Sequence, residues 1–279
     1  MPVQPTCALD LSFPCIMGVL NVTPDSFSDG GHFFAATDAL AQGLVLVREG
    51  AALVDIGGES TRPGSEPVSK DEELRRIVPV VEALAERVGV PISVDTMKAE
   101  VARRALAAGA ALINDVSALR FDPEMVEVIA EAGCPVCIMH MHGKPKTMQD
   151  DPRYGDVVDD VLRFLEERMA CALAQGLRED QLMVDPGIGF GKTVDHNLAL
   201  LRDLHRFTTL GRPVVLGTSR KRFLGAILGA EPTARAVGTV VTTVVGLLAG
   251  AHVFRVHDVK PNFEALRVGL AVLEGAPAT

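Results

Sequence analysis

The chain has 279 residues, 48% of them hydrophobic, and a formal net charge of −9. That is enough apolar material for one large core or two small domains. An acidic chain repels nucleic acid and anionic membrane surfaces, so neither is an expected partner.

The five cysteines (7, 15, 134, 137 and 171) are too sparse, and odd in number, for a disulfide framework. The first residues lack the basic start and unbroken apolar stretch of a signal peptide. The longest apolar run, Ala236 to Ala249, is interrupted by glycine and threonine and is too short to span a bilayer. A reducing, cytoplasmic setting is therefore expected.

One pattern recurs along the chain. A short apolar run ends in a polar residue, a polar or glycine-rich loop follows, and then comes a helix-length amphipathic stretch. The first run, Ile16 to Leu20, ends at Asn21 and leads through a long loop to a helix over Ala36 to Glu49. The second, Ala52 to Ile56, carries Asp55 and opens into a Gly/Ser/Thr/Pro-rich loop. Ser69 is placed to cap the next helix, whose stripe is Leu74, Ile77, Val78, Val81, Leu84 and Val88. Pro79 lies inside that stripe, so a kink is expected there.

The third run ends at Asp95, the fourth at Asn114, and the fifth, Pro135 to Met139, at His140. A long helix follows, marked by Val157, Val161, Leu165 and Met169. The sixth run ends at Asp185, and the seventh, Pro213 to Leu216, leads into Ser219, Arg220 and Lys221. The eighth, Ala251 to Phe254, leads into Arg255 and His257 and is followed by a helix over Lys260 to Leu273.

Eight apolar strands alternating with helices, in a chain near the ~250 residues typical of that fold, predict a (β/α)8 TIM barrel. A doubly wound open sheet is the alternative. No linker divides the chain, so one domain is expected over 1–279, with 1–14 an N-terminal segment and 275–279 a flexible tail. In a barrel, sites form at the C-terminal ends of the strands. Asn21, Asp55, Asp95, Asn114, His140, Asp185, Ser219 and Arg255 would then ring one mouth. Any one of them has a bland reading as a helix cap; the ring as a whole does not.

Two tempting motifs fail. Gly187, Gly189 and Gly191 before Lys192 suggest a phosphate loop, but the P-loop spacing requires glycine where Pro186 stands. The dinucleotide spacing requires it where Lys192 stands. The glycines more simply allow a tight turn or close approach to a flat ligand. Cys134, Cys137, His140 and His142 suggest zinc. Along a strand, however, Cys134 and His140 lie about 20 Å apart, and a tetrahedral site needs all ligands at ~2.0–2.3 Å.

Arg255 and His257 share a face of the last strand and make a small anion site; an ion pair of Arg255 with a neighbouring carboxylate is the competing reading. Asp95, Asn114 and Asp185 come from three strands. A buried carboxylate is satisfied by a heterocycle offering a ring N–H beside an exocyclic amine, which fits a pterin or a guanine equally.

The stretches Gly18–Gly31 and Asp55–Gly64 resemble the two signature loops of the dihydropteroate synthase family. Val94–Thr96, Ile113–Asp115, Met139–Met141, Asp185–Lys192, Ser219–Lys221 and Arg255–Asp258 resemble further motifs of that family, in order. The resemblance spans nearly the whole chain. It implies a transferase of folate biosynthesis, a TIM barrel that is usually a homodimer and uses Mg2+. Such an enzyme joins 6-hydroxymethyl-7,8-dihydropterin diphosphate to p-aminobenzoate by an SN1-like path, and sulfonamides are its expected inhibitors.

By the same resemblance Asp95, Asn114, Asp185, Lys221 and Met139 hold the pterin. Asn21, Arg255 and His257 take the diphosphate, with Asn21 also at the metal. Phe27, Thr61, Arg62, Pro63, Phe190 and Ser219 shape the p-aminobenzoate site. Lys221, Arg255, His257 and Asp95 are the candidate catalytic residues, and Glu59 receives no role. A folate-dependent methyltransferase domain and a non-catalytic pterin-binding protein are the alternatives.

Overall fold

Runs of four or five residues with apolar side chains on both faces can be satisfied only inside a sheet covered by helices. This computed structural model describes residues 11, 13–23, 32–61 and 64–275, the side chains of 32–35 excepted. The strands are β1 (Cys15–Asn21), β2 (Leu53–Gly57), β3 (Ile92–Asp95), β4 (Leu112–Asp115), β5 (Val136–Met139), β6 (Leu182–Asp185), β7 (Val215–Leu216) and β8 (Val253–Val256).

All pairings are parallel, in the order β6-β5-β4-β3-β2-β1-β8-β7. A parallel bridge between Val184 and Val214 joins the two ends, with Val184 N donating to Pro213 O at 3.0 Å. The sheet is thus a closed eight-stranded barrel, and the open-sheet alternative falls.

The surrounding helices are α1 (His32–Arg48), α2 (Lys70–Ala85), α3 (Ala99–Ala107), α4 (Met125–Ala132), α5 (Val157–Ala174), α6 (Val194–Arg202), α7 (Arg222–Leu228), α8 (Ala236–Leu248) and α9 (Val259–Glu274). Ser69 caps α2 as expected, its hydroxyl accepting from Glu72 N at 3.3 Å. α2 continues through Pro79; its buried stripe Ile77, Val80, Val81 and Leu84 holds it to the sheet across the missing N–H. α1 begins four residues before the expected Ala36. Residues 1–10 and 276–279, with parts of the expected N-terminal segment and tail, lie outside the described residues.

Strand periodicity divides the barrel into an outer and an inner core. Ile16, Leu20, Val54, Ile56, Val94, Ile113, Val136, Ile138 and Val184 point outward into the helix layer. Met17, Leu53, Leu112, Cys137, Met183, Val215 and Val253 point inward and fill the lower lumen. Two residues further along β2, β4, β6 and β8 the lumen turns polar, at Asp55, Asn114, Asp185 and Arg255.

α8 reverses the usual amphipathic order. Its buried face is small and polar, with Thr239, Thr242, Thr243 and Gly246, while Val237, Val241, Val245 and Leu248 are exposed. Its hydroxyls are satisfied internally: Thr218 and Thr242 share a hydrogen bond of 2.7 Å, and Thr243 donates to Asn262 at 2.7 Å. α9 packs beside α8 and exposes Val268, Val272 and Leu273.

Candidate active site

Above the apolar plug, inward positions carry Asp55, Ser93, Asn114, Asp185 and Arg255. Asp55 is the hub and is fully buried. One carboxylate oxygen accepts from Ser93 Oγ at 2.6 Å. The other accepts from Asn114 Nδ2 at 3.2 Å and from Arg255 Nε at 2.6 Å. Arg255 Nη2 then donates to Asp95 Oδ2 at 2.9 Å.

Two of the three guanidinium nitrogens of Arg255 are therefore committed to lumen carboxylates. The ion pair weighed against an anion site is present, and it fixes the guanidinium across the floor. Asp55 and Ser93 make this floor; the sequence places Asp55 in the ring at the mouth without a ligand of its own, and Ser93 does not stand out in it. The available signal was parity: Asp55 and Arg255 fall on inward positions of β2 and β8, one strand apart on either side of β1.

Burial raises the Asp95 carboxyl to about 7 against the opposing pull of Arg255, with Asp55 and Glu73 adding to the rise. Burial also raises Asp185, opposed by the hydrogen bond from Gly187 N at 2.6 Å. Lys221 is lowered to about 7, chiefly by burial. Its Nζ donates to Ile188 O at 2.6 Å and lies 4.0 Å over the Phe190 ring. The negative charge of Asp185 opposes that lowering.

Two inward positions carry no side chain. A Cβ at Gly217 would lie 3.8 Å from Arg255 and 3.9 Å from Asp185, and one at Gly57 would lie 3.6 Å from Asp95 and 3.9 Å from Asn21. The space between the polar floor and the mouth is kept open at these points. One wall is soft and apolar: Val116, Met139, Met141 and Met148, with Met97 and Phe190 packed against them. A polar floor, a methionine-rich wall and glycine-cleared space suit a flat heterocycle with one hydrogen-bonding edge.

The three glycines of the sixth loop have φ values of +69°, +82° and +67°. A Cβ at Gly187 would sit 1.8 Å from the His140 carbonyl oxygen. At Gly189 it would meet Lys221, and at Gly191 it would meet His142, so these glycines serve close approach between loops. Lys192 turns inward: it is buried, with Nζ 2.8 Å from His140 Nδ1 and 3.1 Å from Phe190 O. Burial, with Lys192 adding to it, lowers His140 to about 2, so the imidazole stays neutral, and burial also pushes Lys192 well below its ordinary value. The two share a buried hydrogen bond that ties the fifth and sixth loops together.

His257 and Ser219 meet at the mouth. Ser219 Oγ accepts from His257 N at 3.1 Å and lies 3.0 Å from His257 Nδ1. Arg220 has φ +58°, and its guanidinium grips Asp258 at 2.6 and 3.0 Å. Arg235 donates to the carbonyls of Ala230 and Arg220, at 2.8 and 3.0 Å, and so holds the loop that presents Lys221.

Asn21 ends β1, in register with Gly57, which is itself in register with Asp95. Thr61 is half-buried in the loop after β2. Phe27, Arg62 and Pro63 lie outside the described residues. Among the described residues, no group of three or more His, Cys, Asp or Glu is placed to hold a metal.

Residues 17–257 match the family model described as pterin binding enzyme. A dihydropteroate synthase of Escherichia coli strain K12 is 48% identical over 266 residues, covering 95% of this chain and 94% of that protein. The chain belongs to the dihydropteroate synthase family. A solved Yersinia pestis dihydropteroate synthase in complex with a sulfonamide drug superposes with a TM-score of 0.92. It is 46% identical, with 98% of each chain covered. The Xanthomonas albilineans dihydropteroate synthase with 4-aminobenzoic acid gives a TM-score of 0.90 at 48% identity, with 95% of each chain covered.

Proposed function

We infer that this chain condenses 6-hydroxymethyl-7,8-dihydropterin diphosphate with p-aminobenzoate, releasing diphosphate and forming 7,8-dihydropteroate for folate biosynthesis. The observation that carries this is the lumen cluster of Asp95, Asn114, Asp185, Lys221 and Arg255 under a glycine-cleared opening, in a chain of this family.

Asp185, with Asn114 and Asp95, takes the donor edge of the pterin. Lys221 stands on its carbonyl and ring-nitrogen side, and Met139 supplies part of the wall. In the SN1-like path the C–O bond to diphosphate breaks first and its electron pair leaves with the oxygen. The aniline nitrogen then adds to the pterin methyl cation through its lone pair and loses a proton. Arg255 and His257 face the charge that grows on the leaving group. A dry, methionine-lined pocket keeps water from the cation.

Phe190 and Ser219, with Thr61 and with Phe27, Arg62 and Pro63 of the first two loops, shape the p-aminobenzoate side. Sulfonamides would compete there.

Mg2+ typically takes one or two protein oxygens together with substrate phosphates and waters. The single amide oxygen of Asn21, beside Gly57 at the mouth, fits that donor set. When bound, Mg2+ would neutralise charge on the departing diphosphate. The exposed apolar faces of α8 and α9 fit a homodimer interface. Among the described residues no helix is long and apolar enough to cross a membrane. Cys134, Cys137 and Cys171 carry free thiols, in keeping with a reducing cytoplasm.

The test is to supply both substrates with Mg2+ and follow diphosphate release and pteroate together. Stoichiometric formation of both is expected. Pterin binding without turnover would overturn the assignment in favour of a binding protein.

A further inference from the structure

Glu59 stands at the start of the loop after β2, two residues before Thr61. Its carboxylate points away from the lumen, toward Lys98 in the loop after β3. Lys98 Nζ bridges two carboxylates, those of Glu59 and of Glu73 on α2. The side chain of Glu73 is only 1% exposed, so Lys98 compensates a charge that water does not reach.

The same Glu59 carboxylate also accepts from Val68 N at 3.2 Å, at the far end of its loop. One carboxylate therefore closes the loop on itself, and one lysine docks the closed loop onto α2 and the β3–α3 turn. Arg76 secures the base from below, donating to Gly58 O at 2.8 Å while paired to Glu72 at 2.8 Å. Gly58 is pressed against α2, where a Cβ would lie 2.7 Å from Ile77 and 3.1 Å from Glu73. Lys98 lies three residues after Asp95, and its own N–H donates to Thr96 Oγ1 at 3.3 Å. The turn that presents Asp95 and the loop that leads to Thr61 thus share one ionic anchor.

We propose that Lys98, through Glu59 and Glu73, is a positioning residue that sets the course of the loop after β2 as it leads to Thr61, and so controls binding of the arylamine substrate rather than of the pterin. The proposal rests on the reading that this loop forms the second-substrate site. Without the anchor, the base of the loop loses its tie to α2 and the β3–α3 turn. The lumen floor around Asp55, Arg255 and Asp185 keeps every contact described above.

Steady-state kinetics on the whole enzyme test this, with Lys98→Met, Glu59→Gln and Lys98→Arg. A positioning error of about 1 Å can cost up to ~100-fold, so the KM for p-aminobenzoate is expected to rise about tenfold or more in Lys98→Met and Glu59→Gln. The KM for the dihydropterin diphosphate is expected to stay within about twofold, and Lys98→Arg to restore the first value. Because Lys98→Met leaves Glu73 buried without its cation, Lys98→Met/Glu73→Leu is measured as well. It removes both charges and is expected to recover thermal stability while keeping the raised KM.

Unchanged p-aminobenzoate KM in these folded variants overturns the proposal. So does a parallel loss of both substrates that tracks Tm, which is the signature of a merely structural pair. Thr61→Val and Arg62→Ala separate the two levels. If they leave the p-aminobenzoate KM unchanged, the loop is not the second-substrate site and both readings fall. If they raise it while Lys98→Met does not, the positioning role alone falls.

Discussion

Asp55→Ala removes the acceptor on which the pocket floor converges. Three donors lose their partner: Ser93 Oγ at 2.6 Å, Asn114 Nδ2 at 3.2 Å and Arg255 Nε at 2.6 Å. Taking one member from a buried ion pair costs about 3–5 kcal/mol. Arg255 keeps Asp95 and its side chain is 21% exposed, so the low end, about 3 kcal/mol, applies. Orphaning the two neutral donors adds about 1 kcal/mol for the shorter bond and less for the longer.

The sum is about 4 kcal/mol. At ~2–4 °C per kcal/mol for a domain of this size, Tm should fall by about 8–16 °C. Function follows the same geometry. Arg255 loses one of its two anchors and swings from the floor, so pterin affinity should fall as well. Urea and thermal unfolding measure the first effect, and calorimetry with a pterin measures the second. A loss below about 1 kcal/mol with pterin affinity intact would refute the view that Asp55 organises the floor.

Four further outcomes are expected. Asp185→Asn places an amide N–H2 against the donor edge of the pterin; calorimetry should show weaker pterin binding, and an unchanged affinity would contradict the assignment. Pterin binding should peak near pH 7. Asp95, raised to about 7, must be ionised to accept and is lost as pH falls; Lys221, lowered to about 7, must be charged to donate and is lost as pH rises. A flat profile between pH 5.5 and 9 would remove both groups from the binding step. Gly187→Ala combines φ +69° with a Cβ 1.8 Å from the His140 carbonyl; it should disrupt the loop and abolish turnover, and near-normal kcat would show that the loop can relax. Val241→Glu, on the exposed face of α8, should give monomers by sedimentation at micromolar concentration, whereas an intact dimer would place the interface elsewhere.

The strand-end polar residues were readable because a parallel barrel strand is apolar on both faces until it reaches the mouth. A polar residue at the end of such a run therefore stands out, as Asn21, Asp95, Asn114 and Asp185 do. The failure of the phosphate-loop reading was equally plain from Pro186 and Lys192. Where Lys192 goes was not: it looked like a ready cation and is buried against His140, because the fold of the sixth loop turns it inward.

Local sequence thus determined the alternation of strands and helices, the closing helix caps, and which residue types collect at one end of the barrel. These depend on periodicity and on hydrogen bonds to near neighbours, which a single stretch of chain contains. The tertiary structure decided which of those residues meet. Asp55 and Arg255 are 200 residues apart and bond only because the barrel closes through β1. Glu59, Glu73 and Lys98 come from three different segments, and no periodicity within any one of them records their union. Charges far apart in sequence find each other through the register of strands and the packing of helices, and that register is a property of the closed sheet as a whole.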